Sequence, residues 1–197
     1  MTARRPEKSA EEQNRQHSGA DSAYSGSESR HAVHTIPPIW DARAETLILG
    51  SFPSVRSRAD AFYYAHPQNR FWRVLAAIYD CALPETAEEK TRLLLEHRLA
   101  LWDVVAECEI CGSSDSSIRR VQPNPIETIL AGSRVRRIFV NGGTAAALYD
   151  RWLLPRVGVP AVRLPSTSPA NAAWSLERLC AAWAILRLPD REPAAAE

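Results

Sequence analysis

A short apolar strand followed by a polar loop constrains the fold of this chain more than any other stretch. Residues 47–49 form a continuous apolar run that ends at Gly50, a pattern typical of a strand buried on both faces of a parallel sheet. In an open α/β sheet, the loop at the carboxyl end of such a strand is the usual place for a ligand. Here that loop carries hydroxyl, aromatic, amide and charged side chains in segments 51–54 and 63–72. We therefore predict an active site on this loop.

Strand and helix patterns alternate along the rest of the chain. Thr86 and Glu89 have the spacing of a capping box at the start of one helix. The alternation predicts an α/β fold, a three-layer α/β/α sandwich with a central, mostly parallel four-stranded sheet. Strands are predicted at residues 47–49, 99–105, 135–140 and 160–164, and helices at 69–79, 84–95, 144–153 and 174–186, with a polar loop over 112–122 and a short helix after Asn124.

The two ends of the chain differ in composition from its middle. Residues 1–32 are rich in Ser, Glu, Arg, Gln and Gly and carry almost no apolar side chain, so they cannot bury enough surface to fold alone. We predict a disordered N-terminal tail over 1–32, one folded domain over 33–188 and a flexible C-terminal tail over 189–197.

Charge and hydropathy exclude some classes of protein. The chain is 45% hydrophobic and 24% charged, and its net charge of +1 excludes a strongly basic coat. No apolar run reaches the ~18 residues of a membrane span, and the N-terminus lacks the apolar segment of a signal peptide. The sequence therefore predicts a cytoplasmic protein with no membrane partner.

One CxxC pair, Cys108 and Cys111, is present among the four cysteines. Because no second pair lies at metal-ligand spacing, we predict reduced thiols and no bound metal. The alternative is a redox or metal protein that depends on this pair.

Five segments together resemble a known family. In chain order they are residues 50–54, 63–72, 101–103, 115–118 and 164–171, and they resemble the hypoxanthine (deoxyinosine) DNA glycosylase branch of the uracil-DNA glycosylase superfamily. The resemblance extends over about residues 43–188. It implies an enzyme of base excision repair that flips a deaminated base out of double-stranded DNA and hydrolyses its N-glycosidic bond, without a cofactor and as a monomer.

The resemblance also suggests which residues carry the catalysis. Superfamily relatives place an Asp or Asn in the first motif to orient water, and here Phe52 occupies that position. Asn69 is the predicted replacement, because its amide can accept from water and donate elsewhere; the alternative role is an N-cap. His66 is predicted to protonate or hydrogen-bond the departing purine, with a structural histidine beside Pro67 as the alternative.

A second group of residues is predicted to bind the base. Phe52 would stack on the flipped base or, alternatively, pack in the core. Tyr63 and Tyr64 would form the wall of the pocket, although one of the two is expected to be only packed. Asn141 resembles the superfamily amide that recognises the base edge, and Ser51 completes the group.

A third group is predicted to contact the DNA backbone. Segment 164–171 resembles the superfamily's second motif, which presses on the DNA; without the resemblance it is a turn-rich loop. The predicted DNA-binding residues are Ser166, Thr167, Ser168, Asn171, Arg70 and Arg119, with Arg120 and Arg163 as further phosphate candidates.

The lysines bear on the choice of nucleophile. Neither Lys8 nor Lys90 is well placed to form a Schiff base with the sugar, which favours water as the nucleophile.

Two rival functions stay open on the sequence alone. Within the same class, the enzyme would act on uracil or on another altered base, such as an etheno adduct. From a different class, the chain would be a non-catalytic module that holds nucleic acid or a nucleotide, a rival that the loss of the first-motif polar residue motivates.

Overall fold

A four-stranded parallel sheet forms the centre of the protein. The computed structural model describes residues 29–111 and 117–187. The sheet consists of β2 (Thr46–Gly50), β3 (Leu99–Asp103), β6 (Arg137–Asn141) and β7 (Ala161–Leu164) in the spatial order β3-β2-β6-β7, with every neighbouring pair parallel. The predicted α/β class and four-stranded parallel sheet are confirmed.

Both faces of the sheet are covered, which explains the continuous apolar run in β2. All five residues of this strand are buried. Leu47 and Leu49 belong to one core cluster, together with Tyr149, whereas Ile48 belongs to a second cluster with Phe71 and Trp183. Because alternate side chains of a strand point to opposite faces, β2 joins two separate cores, and burial of each aliphatic side chain contributes roughly 1.5–3 kcal/mol.

Helices lie on both faces and complete the three layers. The capping box predicted for α3 is present: Thr86 accepts from the Glu89 backbone N–H, and the Glu89 carboxylate accepts from the Thr86 backbone N–H. The helices are α1 (Val55–Ala59), α2 (Phe71–Ile78), α3 (Ala87–Glu96), α4 (Glu127–Gly132), α5 (Gly143–Trp152), α6 (Leu154–Val157) and α7 (Leu176–Trp183), with a 3₁₀ turn at Ala184–Leu186.

A second, antiparallel sheet was not predicted. It is formed by β1 (Arg30–Val33), β4 (Val105–Ile110) and β5 (Arg119–Pro123) in the order β1-β4-β5. The prediction of a single strand over 99–105 is therefore wrong. Strand β3 ends at Asp103, and strand β4 begins at Val105. Part of the predicted polar loop over 112–122 forms strand β5. Its residues are exposed or half-buried, so its sequence lacks the alternation of apolar and polar residues that usually indicates a strand.

The predicted tails lie largely outside the described residues. Strand β1 begins at Arg30, so regular structure is present before the expected domain boundary at residue 33. Residues 1–28 and 188–197, and the matched residues Asp115 and Ser116, lie outside the described ranges. Over residues 29–111 and 117–187, no helix has both the length and the apolar character needed to cross a bilayer.

The CxxC pair lies on the antiparallel sheet. Cys108 is buried in β4 and Cys111 is half-buried just after it, and neither of them forms a disulfide bond. Within the described part of the chain, no group of three or more His, Cys, Asp or Glu side chains is arranged to hold a metal ion. The pair packs as ordinary small side chains, with Cys108 in the core cluster beside Ile110.

Candidate active site

A cavity of about 1260 Å³ lies at the carboxyl edge of the parallel sheet. Residues that follow β2, β6 and β7 line it, together with the last residue of β3. Strand β3 lies on one side of β2 in the sheet, and β6 lies on the other side. The loops that follow β2 and β6 therefore lead away from each other at this edge. Such a switch in strand order opens a crevice in α/β sheets. The predicted location of the active site therefore contains a large cavity.

An aromatic ring and a hydroxyl from the loop after β2 form part of the cavity lining. Phe52 and Ser51 are both buried, at 6% and 8% exposure, and both line the cavity. The Arg58 guanidinium lies 5.2 Å from the centre of the Phe52 ring and donates to the Pro53 carbonyl. Phe52 thus packs in the core and also lines the cavity, and stacking on a flipped base stays a prediction.

The two tyrosines have different environments. Tyr63 is 2% exposed and its hydroxyl donates to the Pro37 carbonyl; burial, with Asp103 and Tyr64 nearby, raises the pKa of its phenol well above the usual range. Tyr64 stacks on Phe71 with ring centres 4.0 Å apart. Both tyrosines line the cavity, and the Tyr63 hydroxyl is bonded to the protein backbone.

Asn69 and His66 line the cavity from the segment that leads into α2. The Asn69 side-chain oxygen accepts from the backbone N–H of Phe71 at 3.0 Å. Because α2 begins at Phe71 and its N-cap is Arg70, Asn69 lies one residue before the predicted N-cap position and bonds to the first residue of the helix. His66 is exposed, and its Nδ1 accepts from the backbone N–H of Gln68. Because Nδ1 accepts, Nε2 carries the ring hydrogen and is the nitrogen that can donate to a ligand.

Asn141 is bonded to the second-motif loop. Its amide nitrogen donates to the Thr167 hydroxyl and its oxygen accepts from the Thr167 backbone N–H, both at 3.0 Å. Thr167 is fully buried. These two bonds use one hydrogen and one lone pair of the amide, and they give Asn141 a structural role. Asn141 also lines the cavity, and its base-edge role stays a prediction.

Arg70 has a structural environment as well. Its guanidinium donates to the backbone carbonyls of Thr167, Ser168, Asn171 and Trp174. A planar guanidinium can satisfy several carbonyls at fixed angles, which a lysine cannot. Arg70 therefore clamps the second-motif loop from inside, and its donors are directed to the protein and not to a phosphate as predicted.

The second-motif loop also stabilises itself with short-range bonds. Ser166 accepts from the Ser168 backbone N–H, Ser168 accepts from the Ala170 backbone N–H, and the Asn171 amide donates to the Ser166 carbonyl. Close packing adds to this, since a side-chain Cβ at Gly142 would lie 2.9 Å from the Ser166 Cβ. The loop is thus a rigid turn on the cavity edge.

The arginines predicted to bind DNA fall in different places. Arg163 is exposed, lines the cavity and lies against Gly143. Arg119 and Arg120 are on β5 of the antiparallel sheet and are not among the cavity residues. Arg120 pairs with Glu109 at 2.6 Å. The cavity edge therefore holds Arg163, and the structure does not bring Arg119 to it.

Sequence reasoning missed the carboxylate of the cavity. Asp103, the last residue of β3, is the one acidic side chain among the described residues that line it. Its Oδ2 is 2.8 Å from Nε2 of His34, and the two side chains are 5% and 1% exposed. The sequence signals for Asp103 were its position at a strand end and its place in the matched segment 101–103. His34 is distant in sequence and lies outside all the matched segments.

Comparison with known proteins assigns the chain to a family. The family model described as the Uracil DNA glycosylase superfamily matches residues 37–187, a range that includes the whole cavity lining. The chain belongs to the uracil DNA glycosylase superfamily.

Two relatives and one solved structure are similar over most of the chain. A hypoxanthine DNA glycosylase from Methanosarcina acetivorans is 35% identical over 144 residues, which is 73% of this chain and 90% of that protein. A hypoxanthine DNA glycosylase from Methanosarcina barkeri is 30% identical over 150 residues, 76% of this chain and 94% of that protein. A solution NMR structure from M. acetivorans, presented as a candidate uracil DNA glycosylase, has a TM-score of 0.65 and 32% identity and covers 77% of this chain and 96% of its own.

Proposed function

We propose that this protein is a monofunctional DNA glycosylase that excises hypoxanthine from double-stranded DNA. The observation that carries the proposal is the composition of the cavity at the sheet edge: an aromatic ring, an amide, an imidazole and one carboxylate around about 1260 Å³. A flipped purine needs such a concave pocket with an aromatic face and a few polar groups. The two relatives named hypoxanthine DNA glycosylases favour hypoxanthine as the base.

Hydrolysis of an N-glycosidic bond has two requirements that these residues can meet. Positive charge develops on the sugar in an oxocarbenium-like transition state, so water must be positioned at the anomeric carbon. Asn69 is suited to hold that water, because an amide both donates and accepts. The purine leaves with its bonding electron pair, and the Nε2–H of His66 can donate a hydrogen bond to it.

The lining of the cavity is consistent with water as the nucleophile. A lyase mechanism needs an amine that forms a Schiff base with the sugar. None of the described cavity residues is a lysine. Lys90 lies on α3, where its ammonium is 5.8 Å and 5.9 Å from the ring centres of Phe62 and Trp72. The expected product is therefore an abasic site in an unbroken strand.

Double-stranded DNA would lie across the edge formed by the second-motif loop. Ser168 is half-buried there, and Pro169 and Ala170 are exposed next to it. Arg163 supplies a cation at the same edge, and within the described residues it makes no ion pair or side-chain hydrogen bond. Apolar side chains that fill the gap left by a flipped base, with a cation for phosphate, suit this surface to damaged duplex DNA. The protein would act as a monomer in base excision repair.

Uracil is the second candidate substrate, because the similar solved structure is presented as a candidate uracil DNA glycosylase. Single-turnover cleavage of end-labelled duplexes that contain hypoxanthine, uracil or only normal bases separates the two. We expect hypoxanthine to be released fastest, with strand breaks only after alkali treatment. Faster release of uracil would keep the enzyme class and replace the substrate. Binding without release from any duplex would reject the enzyme in favour of a non-catalytic module.

A further inference from the structure

An arginine that lies over a tryptophan ring is placed just outside the cavity, after the second-motif loop. Arg178 is in the first turn of α7, and its guanidinium carbon is 4.6 Å from the ring centre of Trp174. Trp174 lines the cavity, whereas Arg178 is not among the lining residues. The guanidinium therefore lies beyond the indole ring, on the surface next to the cavity.

Three contacts hold Arg178 in this place. The indole ring of Trp174 attracts the cation, and Nη1 of the guanidinium donates to the Ala173 carbonyl at 2.9 Å. The Ser175 side chain accepts from the Arg178 backbone N–H at 3.2 Å, which fixes the first turn of the helix. A side chain held in this way loses less conformational freedom when it binds a ligand.

The charge of Arg178 has no partner of opposite sign in the part of the chain that the structure describes. The ion pairs among residues 29–111 and 117–187 do not include it, and its side chain is exposed. Glu177 is its neighbour on the helix, but residues at that spacing do not face each other. Most N–H donors of the guanidinium are therefore available, and a phosphate can accept two of them side by side.

A second arginine–tryptophan pair has similar geometry in a different location. The guanidinium carbon of Arg151 is 5.0 Å from the ring centre of Trp152. This pair is at the C-terminal end of α5, and neither residue lines the cavity. A cation is favourable at the C-terminus of a helix and unfavourable at the N-terminus. Helix stability therefore explains the position of Arg151 and does not explain that of Arg178 in a first turn.

Arg163 and Arg178 flank the second-motif loop along the chain. Arg163 is in β7 before the loop, and Arg178 is in α7 after it. Arg163 lies against Gly143, whereas Arg178 lies over Trp174, and both of these neighbours line the cavity. The two cations therefore have different places on the rim.

We propose that Arg178 binds a backbone phosphate of the DNA next to the flipped nucleotide, on the side of the second-motif loop away from Arg163, and that Trp174 is its positioning residue. This inference rests on the proposed function and gives the same duplex a second anchor. The phosphates of one strand follow each other at about 3.4 Å of helix axis. The 4.6 Å between ring centre and guanidinium is of this size, so the phosphate belongs to a nucleotide outside the cavity.

Removal of charge from both partners tests the contact directly. A methylphosphonate linkage neutralises one chosen phosphate, and Arg178→Gln removes the cation. The duplex carries hypoxanthine on a 2′-fluorinated sugar, because the fluorine disfavours the oxocarbenium-like state and leaves binding alone to be measured. With the full wild-type chain at low salt, we expect neutralisation of one flanking phosphate to weaken binding about three- to fivefold. In Arg178→Gln, the same neutralisation should have no further effect.

Two matched variants separate this contact from a general loss of charge. Arg151→Gln removes the cation of the other arginine–tryptophan pair and should respond to every methylphosphonate as the wild type does. Arg178→Lys keeps the charge, so it should remain sensitive to the same phosphate. Arg163→Gln should lose its response to a different phosphate. Unfolding by denaturant shows that each variant is folded at the assay temperature.

Two Trp174 variants test the positioning role. Trp174→Phe retains an aromatic face and should bind the duplex nearly as well as the wild type, whereas Trp174→Leu should bind about two- to fivefold more weakly. Equal affinities in these two variants would remove that role from Trp174.

The two proposals fail in different ways. If Arg178→Gln responds to every methylphosphonate as the wild type does, this inference is overturned, and release of hypoxanthine from an ordinary duplex by the wild-type chain leaves the proposed function intact. If the wild-type chain neither binds nor cleaves the duplexes, both are overturned.

Discussion

The loop after β2 and the loop after β7 have similar polar composition but use it differently. The first, residues 51–69, places Phe52, His66 and Asn69 on the cavity. The second, residues 165–174, also lines the cavity, yet its carbonyls accept from Arg70 and its hydroxyls and amides bond within the loop or to Asn141. The first loop has groups available for chemistry, and the second has a fixed shape.

This difference shows why polar residues near a site do not all act on the substrate. An irregular turn leaves backbone carbonyls without partners from a helix or a sheet. Such a loop can keep a fixed shape against a DNA duplex only if other groups donate hydrogen bonds to those carbonyls. Arg70 directly follows the first loop in sequence, but its guanidinium donates to carbonyls of the second loop, residues 167–174. Variants of these residues should therefore separate into those that lower stability and those that lower activity.

Arg70→Ala is expected to have the largest effect on stability. The change removes the donors of four carbonyls in a partly buried loop, and hydrogen bonds to a charged group contribute roughly 1.5–3 kcal/mol each before relaxation. We expect a loss of about 3 kcal/mol in the free energy of unfolding, measured with denaturant. Arg163→Ala, on the same edge without such bonds, is the matched control and should change stability by less than about 0.5 kcal/mol. Similar losses in the two variants would contradict the clamp.

Asn69→Ala should mainly lower activity. We expect the single-turnover rate of hypoxanthine release to fall about a hundredfold, or roughly 2.7 kcal/mol in the barrier, because water loses its orienting group. Loss of the bond to Phe71 should cost about 1 kcal/mol of stability. Asn69→Asp retains an oxygen for that N–H, so its stability should stay near wild type. An unchanged rate in Asn69→Ala would assign Asn69 to the helix start alone.

Asn141→Ala should lower stability by about 1–2 kcal/mol, since both of its bonds to Thr167 are lost. Its effect on base preference should be small, because the amide is directed at the loop. The check is the ratio of hypoxanthine to uracil excision in the variant and in wild type. A changed ratio with unchanged stability would return Asn141 to base recognition.

Arg163→Gln is expected to have the smallest effect. Loss of one phosphate contact should weaken DNA binding equally for every sequence and lower the slope of log affinity against log salt by about 0.9. Titration of a fluorescent duplex at several salt concentrations measures this slope. Arg119→Gln is the control and should leave the slope unchanged, because β5 is not part of the cavity edge. The reverse result would move the DNA to the antiparallel sheet.

Local patterns were sufficient to predict the parallel sheet and its longer helices, but not the short helices α1 and α6. A strand buried on both faces has a continuous apolar run, as in residues 47–49, and the Thr86–Glu89 spacing determined one helix start. The antiparallel sheet escaped prediction because β5 is mostly exposed and pairs with β4 in an irregular register. Its strands depend on pairing between distant segments and not on their own composition.

The site was predictable in position and not in its internal contacts. The rule for carboxyl ends of parallel strands placed Phe52 and Asn69 at the cavity. The His34–Asp103 pair spans 69 residues of sequence and the Arg70 bonds span 97 to 104. Such contacts arise only after the sheets and loops assemble, so residue type indicates that a side chain can bond and leaves its partner undetermined.

Detection of the free base tests the central claim most directly. Duplex DNA with one hypoxanthine is incubated with excess wild-type protein, and mass spectrometry measures released base while strand length is measured in the same sample. We predict one equivalent of free hypoxanthine and an intact strand, with the Asn69→Ala variant about a hundredfold slower. Absence of free base, or a strand break without base release, would contradict a monofunctional glycosylase.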